Sequence, residues 1–124
     1  MDVIKGYFGE KDTNWIVPIT DRVGNRLDLK KGRIHYARDK LTGEQKAFEV
    51  KRLVWAQQSD CPEKIIVLEE IVFSDDGGHG LRLGYYTTSR TGHWWWGQYA
   101  LMIPREDLEE LLIYARDNNM LSIT

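Results

Sequence analysis

The chain has 124 residues, of which 42% are hydrophobic and 29% are charged, and its mean hydropathy is −0.48. This composition excludes a membrane-embedded protein and an intrinsically disordered one, and the length predicts a single domain, residues 1–124, with its own core. The formal net charge of −2 argues against a protein that coats duplex DNA by bulk charge. The single cysteine, Cys61, excludes an internal disulfide and a cysteine zinc cluster.

The first ten residues, MDVIKGYFGE, contain no long apolar core and no small-residue cleavage site, so we expect no secretory signal. No window approaches the roughly 18 to 20 consecutive apolar residues of a membrane helix. We therefore predict a cytoplasmic protein with no membrane contact.

The charges are unevenly distributed along the chain. Residues 30–52 carry eight basic and three acidic side chains, whereas residues 53–124 carry five basic and eleven acidic ones. The basic segment is either an anion-facing patch or a solvated hairpin with scattered lysines, and the sequence is compatible with both.

The N-terminal part of the chain is predicted to be rich in strands. Asn14–Thr20 is apolar and β-branched, and Pro18 makes it an edge or bent strand. Two further strands, Arg33–Asp39 and Gln45–Ala56, are expected on either side of a turn at Leu41-Thr42-Gly43.

A polar cluster at residues 57–62 is interpreted as a loop inside the one domain. Ile65–Phe73 follows it, with apolar residues on both faces and many β-branched side chains, and this favours a central strand. A short helix that starts at Pro62, with Asp60 as its cap, is the alternative.

Leu81–Ser89 and His93–Ile103 are predicted to form a hairpin through the loop Arg90-Thr91-Gly92. The expected register pairs Leu81 with Leu101, Leu83 with Tyr99, and Tyr85 with Gly97. Alternation then separates two faces of the hairpin. The face expected in the core beneath a helix carries Leu81, Leu83, Tyr85, Trp95, Tyr99 and Leu101. The opposite face carries Arg82, Tyr86, Thr88, Trp94, Trp96 and Gln98.

A helix is predicted from about residue 104 to residue 118, with Pro104 in its first turn. Its apolar stripe, at spacing i, i+3, i+4 and i+7, is formed by Leu108, Leu111, Leu112 and Ala115.

We therefore predict an α+β fold: a twisted, mostly antiparallel sheet of six to seven strands with one C-terminal helix. Residues 1–57 form its β-rich N-terminal part, which includes the basic segment 30–52, and residues 62–124 supply the later strands and the helix.

The aromatic face of the hairpin suggests a binding surface. Aromatic rings stack with bases and arginine contacts phosphate, which is how proteins hold single-stranded nucleic acid. The same residues also suit an ordinary core or a protein interface. The candidate nucleic-acid-binding residues are Trp94, Trp96, Tyr86, Arg82, Arg90, Lys30, Lys31, Arg33, Arg38 and Arg52.

The order of four strands and a helix after about residue 53, with the strand-to-helix passage Gly97–Leu108 (GQYALMIPREDL), resembles the single-stranded-DNA-binding fold of the PC4 coactivator family and, more loosely, the Whirly architecture. The resemblance covers just over half of the chain. It implies a curved antiparallel sheet followed by a helix, a homodimer, and single strands bound on the sheet by basic and aromatic residues.

Two further interpretations, a nuclease site and a metal site, have weaker support in the sequence. Asp39, Glu49 and Lys51 fit the acid–acid–lysine pattern of a metal-dependent nuclease, and an exposed ion-pair face explains them equally well. Four residues in or near the turns could also meet at one end of the hairpin and bind a metal, although a solvated turn is the simpler interpretation. These residues are Asp75, Asp76, His79 and His93.

We accordingly expect a non-enzymatic binding protein without a cofactor or a metal. Its predicted partner is single-stranded nucleic acid, and the alternative is a protein-binding accessory or inhibitor module that uses the same aromatic face. The nuclease is a distant third.

Overall fold

In the computed structural model, the described residues are 5–12, 14–17, 27–30, 34–88, 94–97 and 100–122. They form eight strands and one helix: β1 (Lys5–Phe8), β2 (Asn14–Val17), β3 (Leu27–Lys30), β4 (Ile34–Arg38), β5 (Gln45–Gln57), β6 (Lys64–Phe73), β7 (His79–Thr88), β8 (Trp94–Trp96) and α1 (Arg105–Asp117).

Six of these strands form one open antiparallel sheet around the long strand β5. β1 and β4 pair with different halves of the same edge of β5, while β6, β7 and β8 follow in that order on its other side. β2 and β3 form a separate two-stranded antiparallel sheet. The predicted α+β class, with a mostly antiparallel sheet and one C-terminal helix, is confirmed.

The hairpin of β4 and β5 forms where its turn residues predict it. The Asp39 carboxylate accepts a hydrogen bond of 2.8 Å from the backbone N–H of Leu41, and Gly43 adopts a φ of 73°. A left-handed residue at the end of such a turn favours glycine, because a side chain would be strained there.

The alternative helix at Pro62 is wrong, since Lys64–Phe73 is a strand between β5 and β7.

The register predicted for the hairpin of β7 and β8 is confirmed for the paired residues, in which Tyr86 lies opposite Trp96. The second strand is much shorter than predicted, because β8 ends at Trp96 and residues 100–104 are not in a strand. The ammonium group of Lys64 donates a 3.2 Å hydrogen bond to the carbonyl of Met102, which places this connection over the helix-bearing side of the sheet.

Each side of the sheet has its own apolar cluster. On the helix side, α1 packs against alternating residues of β5 and β6 through Leu111 and Ala115. The far side, opposite α1, holds the second cluster, which includes Trp55 of β5 and Leu27 of β3. The alternation of β6, where Ile65 and Val67 face one side and Ile66 and Leu68 the other, follows directly from the period of a strand.

Two sets of hydrogen bonds hold α1 along the second half of β5. Near its start, the Asp107 carboxylate accepts a 2.8 Å hydrogen bond from the backbone N–H of Ser59. Near its end, the Arg52 guanidinium donates to the carbonyl oxygens of Asn118, at 3.2 Å, and Asn119, at 2.8 Å. The helix axis therefore runs roughly parallel to β5.

The prediction that Leu81, Leu83 and Trp95 lie in the core beneath the helix is wrong. Their exposed fractions are 49%, 44% and 57%. The helix is about 20 Å long and lies over β5, and β7 is about 10 Å away, two strands further across the sheet. A single helix of this size leaves Leu81, Leu83 and Trp95 exposed, whereas Tyr85 of β7, which the same prediction placed in this core, is buried.

Candidate functional site

The residues predicted to bind nucleic acid lie on two opposite sides of the sheet. Tyr86 lies opposite Ile65 and Arg82 lies opposite Glu69, so both project from the far side with Trp94 and Trp96. The two arginines Arg38 and Arg52 lie at helix-side positions, since they pair with Gln45 and Glu70. One flat ligand cannot contact both sets.

Three of the candidates, Lys31, Arg33 and Arg90, lie outside the described residues. Lys30 is the last residue of β3, and only its backbone is described.

On the far side, aromatic rings and a guanidinium pack against one another across three strands. The guanidinium of Arg82 lies 4.2 Å from the ring centroid of Trp96 and 4.9 Å from that of Phe48. Tyr86 meets Trp96 edge to face at 5.2 Å. A Cβ atom at Gly84 would overlap the Trp96 ring, so the absence of a side chain there makes room for it. The Trp96 ring is therefore already in contact with Arg82 and Tyr86, and it is only partly exposed.

Glu69 neutralises the charge of Arg82. Glu69 is 2% exposed, and its carboxylate accepts a 2.5 Å hydrogen bond from Nε of Arg82. Burial raises the pKa of the Glu69 carboxyl, and the bond to Arg82 only partly offsets this effect. Among the described residues, the buried Nε1 of Trp94 has no hydrogen-bond partner. The described residues of the far side thus have the character of a packed core, in which Arg82 is held by a buried carboxylate.

Arg52, another candidate for phosphate contact, is engaged in structural bonds. Its Nε donates to the carboxylate of Glu70, and this bond is the main reason that the pKa of Arg52 is raised. Its two remaining nitrogens donate to the carbonyls of the two residues that follow α1, Asn118 and Asn119. The loop that ends α1 is therefore joined to the sheet through this side chain.

The helix side of β7 and β8 carries the exposed apolar residues instead. We call Leu81, Leu83, Met102 and Trp95 the apolar strip. Met102 is 78% exposed. The ammonium of Lys64 lies 4.5 Å from the ring centroid of Tyr85 and is bonded to the Met102 carbonyl, so Met102 lies near Tyr85, between Leu83 and Trp95 along the sheet.

Sequence reasoning missed the apolar strip, because it placed Leu81, Leu83 and Trp95 under the helix and assigned Met102 to neither face. One signal was present in the run of three tryptophans. Alternation puts Trp95 on the side opposite to Trp94 and Trp96, so the run cannot be buried on one face alone.

The residues of the predicted nuclease site are far apart. Asp39 lies in the turn that joins β4 to β5, where it bonds to the backbone of Leu41. Glu49 lies opposite Ile34, about 17 Å further along the hairpin. These two carboxylates do not share a metal ion.

The described part of the chain also holds no group of three or more His, Cys, Asp or Glu side chains placed to bind a metal. Asp76 accepts a 2.7 Å hydrogen bond from the backbone N–H of Gly78, which lowers the pKa of its carboxyl. His79 lies 3.4 Å from the Glu70 carboxylate, and His93 is outside the described residues.

Comparison of the chain with protein-family models, curated proteins and solved structures finds no match. Within the described ranges, no helix has the length and apolar composition to cross a bilayer. Function is therefore inferred from the surface itself.

Proposed function

We propose that this protein is a non-enzymatic binding module that docks another protein on the apolar strip. The observation that carries the proposal is the exposure of four large apolar side chains, Leu81, Leu83, Met102 and Trp95, on one side of the sheet next to a helix that leaves them uncovered. A large exposed apolar patch is typical of interaction sites.

The composition of the apolar strip suits a protein partner. Full burial of a leucine or methionine side chain contributes about 1.5 to 3 kcal/mol, and tryptophan is strongly enriched among residues that dominate binding energy. Methionine adapts its shape to different partners. Three of the four side chains are aliphatic and offer neither a stacking ring nor a phosphate contact.

Binding of single-stranded nucleic acid, with a homodimer as the PC4 resemblance implies, stays a prediction. Its best ring, Trp96, is stacked by Arg82, and the charge of Arg82 is balanced by Glu69. These contacts favour the protein partner.

Site-specific photo-crosslinking in cells tests the proposal. A benzophenone amino acid is placed at position 81, at position 95, and at position 41 as a matched control, because Leu41 is 97% exposed at the tip of the β4–β5 hairpin. We expect discrete protein adducts from positions 81 and 95 that are absent from position 41. The adducts should disappear when Leu83→Ser is added and persist with Leu41→Ser.

The same adduct pattern at all three positions would overturn the proposal. Adducts that nuclease digestion removes would also overturn it, in favour of a nucleic-acid ligand.

A further inference from the structure

The first half of β7 lies at the edge of the sheet. β8 pairs with β7 only over residues 86–88, and the N–H of Gly97 then donates a last 2.8 Å hydrogen bond to the carbonyl of Tyr85. In the part of the chain that the structure describes, no strand pairs with residues 79–84 on that side of β7. We call residues 79–84 the open edge.

The backbone groups on the open edge belong to alternate residues. In an antiparallel strand the N–H and C=O of one residue point to the same side, and those of the next residue point to the other. Because the Tyr85 carbonyl points toward β8, the backbone groups of His79, Leu81 and Leu83 point the same way. The open edge therefore offers alternating donors and acceptors that match another extended strand.

The open edge lacks the features that usually prevent two sheets from pairing. Natural edge strands are short, or they carry lysine, proline or a bulge. β1, β4 and β8 have four, five and three residues, but β7 has ten and pairs with β6 without a bulge. Residues 79–84, HGLRLG, contain neither lysine nor proline, and the charge of Arg82 is balanced by Glu69.

The two limits of the open edge determine how a strand can pair with it. At one end, β8 occupies the edge from Tyr85 onward. At the other end, the chain turns away toward β6 at Gly77, whose φ is 69°. Leu81 is the midpoint of these two limits. A second β7 that runs antiparallel, with Leu81 opposite Leu81, therefore fills the edge from end to end in both copies.

The side chains agree with this register. On the helix side, the two Leu81 side chains, each 49% exposed, lie side by side, and Leu83 lies opposite His79 of the second copy. On the far side, each Arg82 lies opposite Gly80 of the second copy. No like charges therefore face each other across the boundary between the copies, where they would be destabilising.

The neighbouring registers fit less well. Only shifts by two residues keep the outward backbone groups opposite one another. A shift in one direction places Arg82 opposite Arg82 and His79 against Gly97 of the second copy. A shift in the other direction runs past Gly77 into the turn. The register centred on Leu81 avoids both conflicts.

We propose that the open edge joins two copies of this chain into a homodimer with one continuous antiparallel sheet. Leu81 pairs with Leu81 at the two-fold axis, and His79 and Leu83 pair with Leu83 and His79 of the second copy. Each of these pairs exchanges two backbone hydrogen bonds, so the interface holds about six. The inference goes beyond the proposed function, because it concerns the backbone edge of β7 and not the ligand of the apolar strip.

The mass of the full chain in solution tests the dimer. In sedimentation equilibrium, the mass should rise from 14.5 kDa toward twice that value between micromolar and millimolar concentration. Leu81→Lys places two lysines opposite each other at the axis, so it should weaken dimerisation at least about tenfold. Leu41→Lys is the matched control, because Leu41 is 97% exposed at the tip of the β4–β5 hairpin. A mass of 14.5 kDa at every concentration, or equal weakening by the two substitutions, would overturn the proposal.

Disulfide formation tests the register. Each variant also carries Cys61→Ser, so that it has one cysteine. In the proposed pairing, the Cα atoms of the two Leu81 residues are about 5.5 Å apart, within reach of a disulfide, and those of the two Leu83 residues are about 14 Å apart. With oxidised glutathione as the oxidant, Leu81→Cys should form covalent dimers at least about tenfold faster than Leu83→Cys or Leu41→Cys.

Equal rates at the three positions would indicate random collision and would overturn the interface, and a faster reaction at position 83 would overturn the register. The dimer and the proposed function can fail separately. A chain that stays monomeric but gives adducts with another protein in the photo-crosslinking experiment would overturn the dimer and leave the proposed function standing. Adducts from position 81 that contain only this chain would support the dimer and not the proposed function.

Discussion

The guanidinium of Arg82 lies 4.2 Å from the ring centroid of Trp96 while its Nε bonds to the buried carboxylate of Glu69 at 2.5 Å. Glu69 on β6 and Trp96 on β8 are thereby joined across β7 by one side chain. The packing of β8, the edge strand, onto the far side of the sheet therefore depends on a charge pair as well as on apolar contacts.

The two partners of this pair should respond differently to substitution. Arg82→Met leaves the Glu69 charge buried without a partner and should lower the free energy of unfolding by about 2 to 4 kcal/mol. In Glu69→Gln, Arg82 loses its charged partner but stays partly exposed to water. This substitution should change the free energy of unfolding by less than about 1 kcal/mol. Urea denaturation measures both. Equal losses of stability in the two variants would contradict the view that the buried, unpaired charge of Glu69 destabilises Arg82→Met.

The pair also predicts a pH dependence of stability. Because burial raises the pKa of Glu69 above its ordinary value of 4.5, the folded protein binds more protons than the unfolded chain between 4.5 and the raised pKa. The contribution of Glu69 to stability is therefore largest at acid pH and falls as pH rises through that window.

The stability deficit of Arg82→Met should accordingly be smaller at pH 4.5 than at pH 7, since Arg82 lowers the pKa of Glu69 and its loss raises that pKa further. Urea denaturation at the two pH values, with Glu69→Gln as the reference that lacks the titrating group, checks this. A deficit that grows on acidification would contradict the sign of the shift.

Gly84 should be intolerant of a methyl group. In Gly84→Ala the new Cβ would overlap the Trp96 ring, so Trp96 must move, at a cost of about 1 to 3 kcal/mol. Gly80→Ala is the matched control on the same strand, because its nearest neighbour is a Phe73 side-chain atom at 3.3 Å that needs only a small adjustment. Thermal unfolding compares the two, and a larger loss in Gly80→Ala would contradict the position of Trp96.

Arg52 should stabilise the end of α1. Arg52→Met removes its hydrogen bonds to two carbonyls and to Glu70, and we expect a loss of about 1 to 3 kcal/mol. Hydrogen exchange should become faster in the last turn of α1. Arg38→Met, at an exposed position of β4, should change stability by less than about 0.5 kcal/mol. Unchanged exchange in α1 would show that Arg52 does not hold the helix.

A thymidine oligonucleotide should not quench tryptophan emission in a salt-sensitive way, since Arg82 covers Trp96 and Glu69 balances its charge. Titrations at low and high salt measure this. Saturable quenching that salt weakens, and that a folded Trp94→Ala/Trp96→Ala variant loses, would establish nucleic-acid binding on the far side and displace the proposed function.

Much of the fold was predictable from local signals. The Gly43 turn predicts the β4–β5 hairpin, and the spacing from Leu108 to Ala115 predicts the helix. Both depend on residues within a few positions of each other, where turn chemistry and helical period decide the structure.

The site was harder to predict, because it depends on where α1 docks. The bonds of Asp107 and Arg52 to distant parts of the chain place the helix over β5 and leave Trp95 uncovered. No periodicity in the helix or in the strands contains that information. The burial of Glu69 beside Arg82 likewise depends on the pairing of two separate strands.

The bond between Arg52 and Asn118 closes a span of 66 residues. Closing so long a span costs chain entropy before the contact can form. In the β5–β6–β7 meander, strands that are adjacent in sequence are also adjacent in space, so this sheet closes shorter spans. We therefore expect α1 to dock after the meander has assembled. Until then the whole helix side, including Val54 and Ile66, is open to solvent. A chain in which α1 has not yet docked thus presents a larger apolar surface than the native protein.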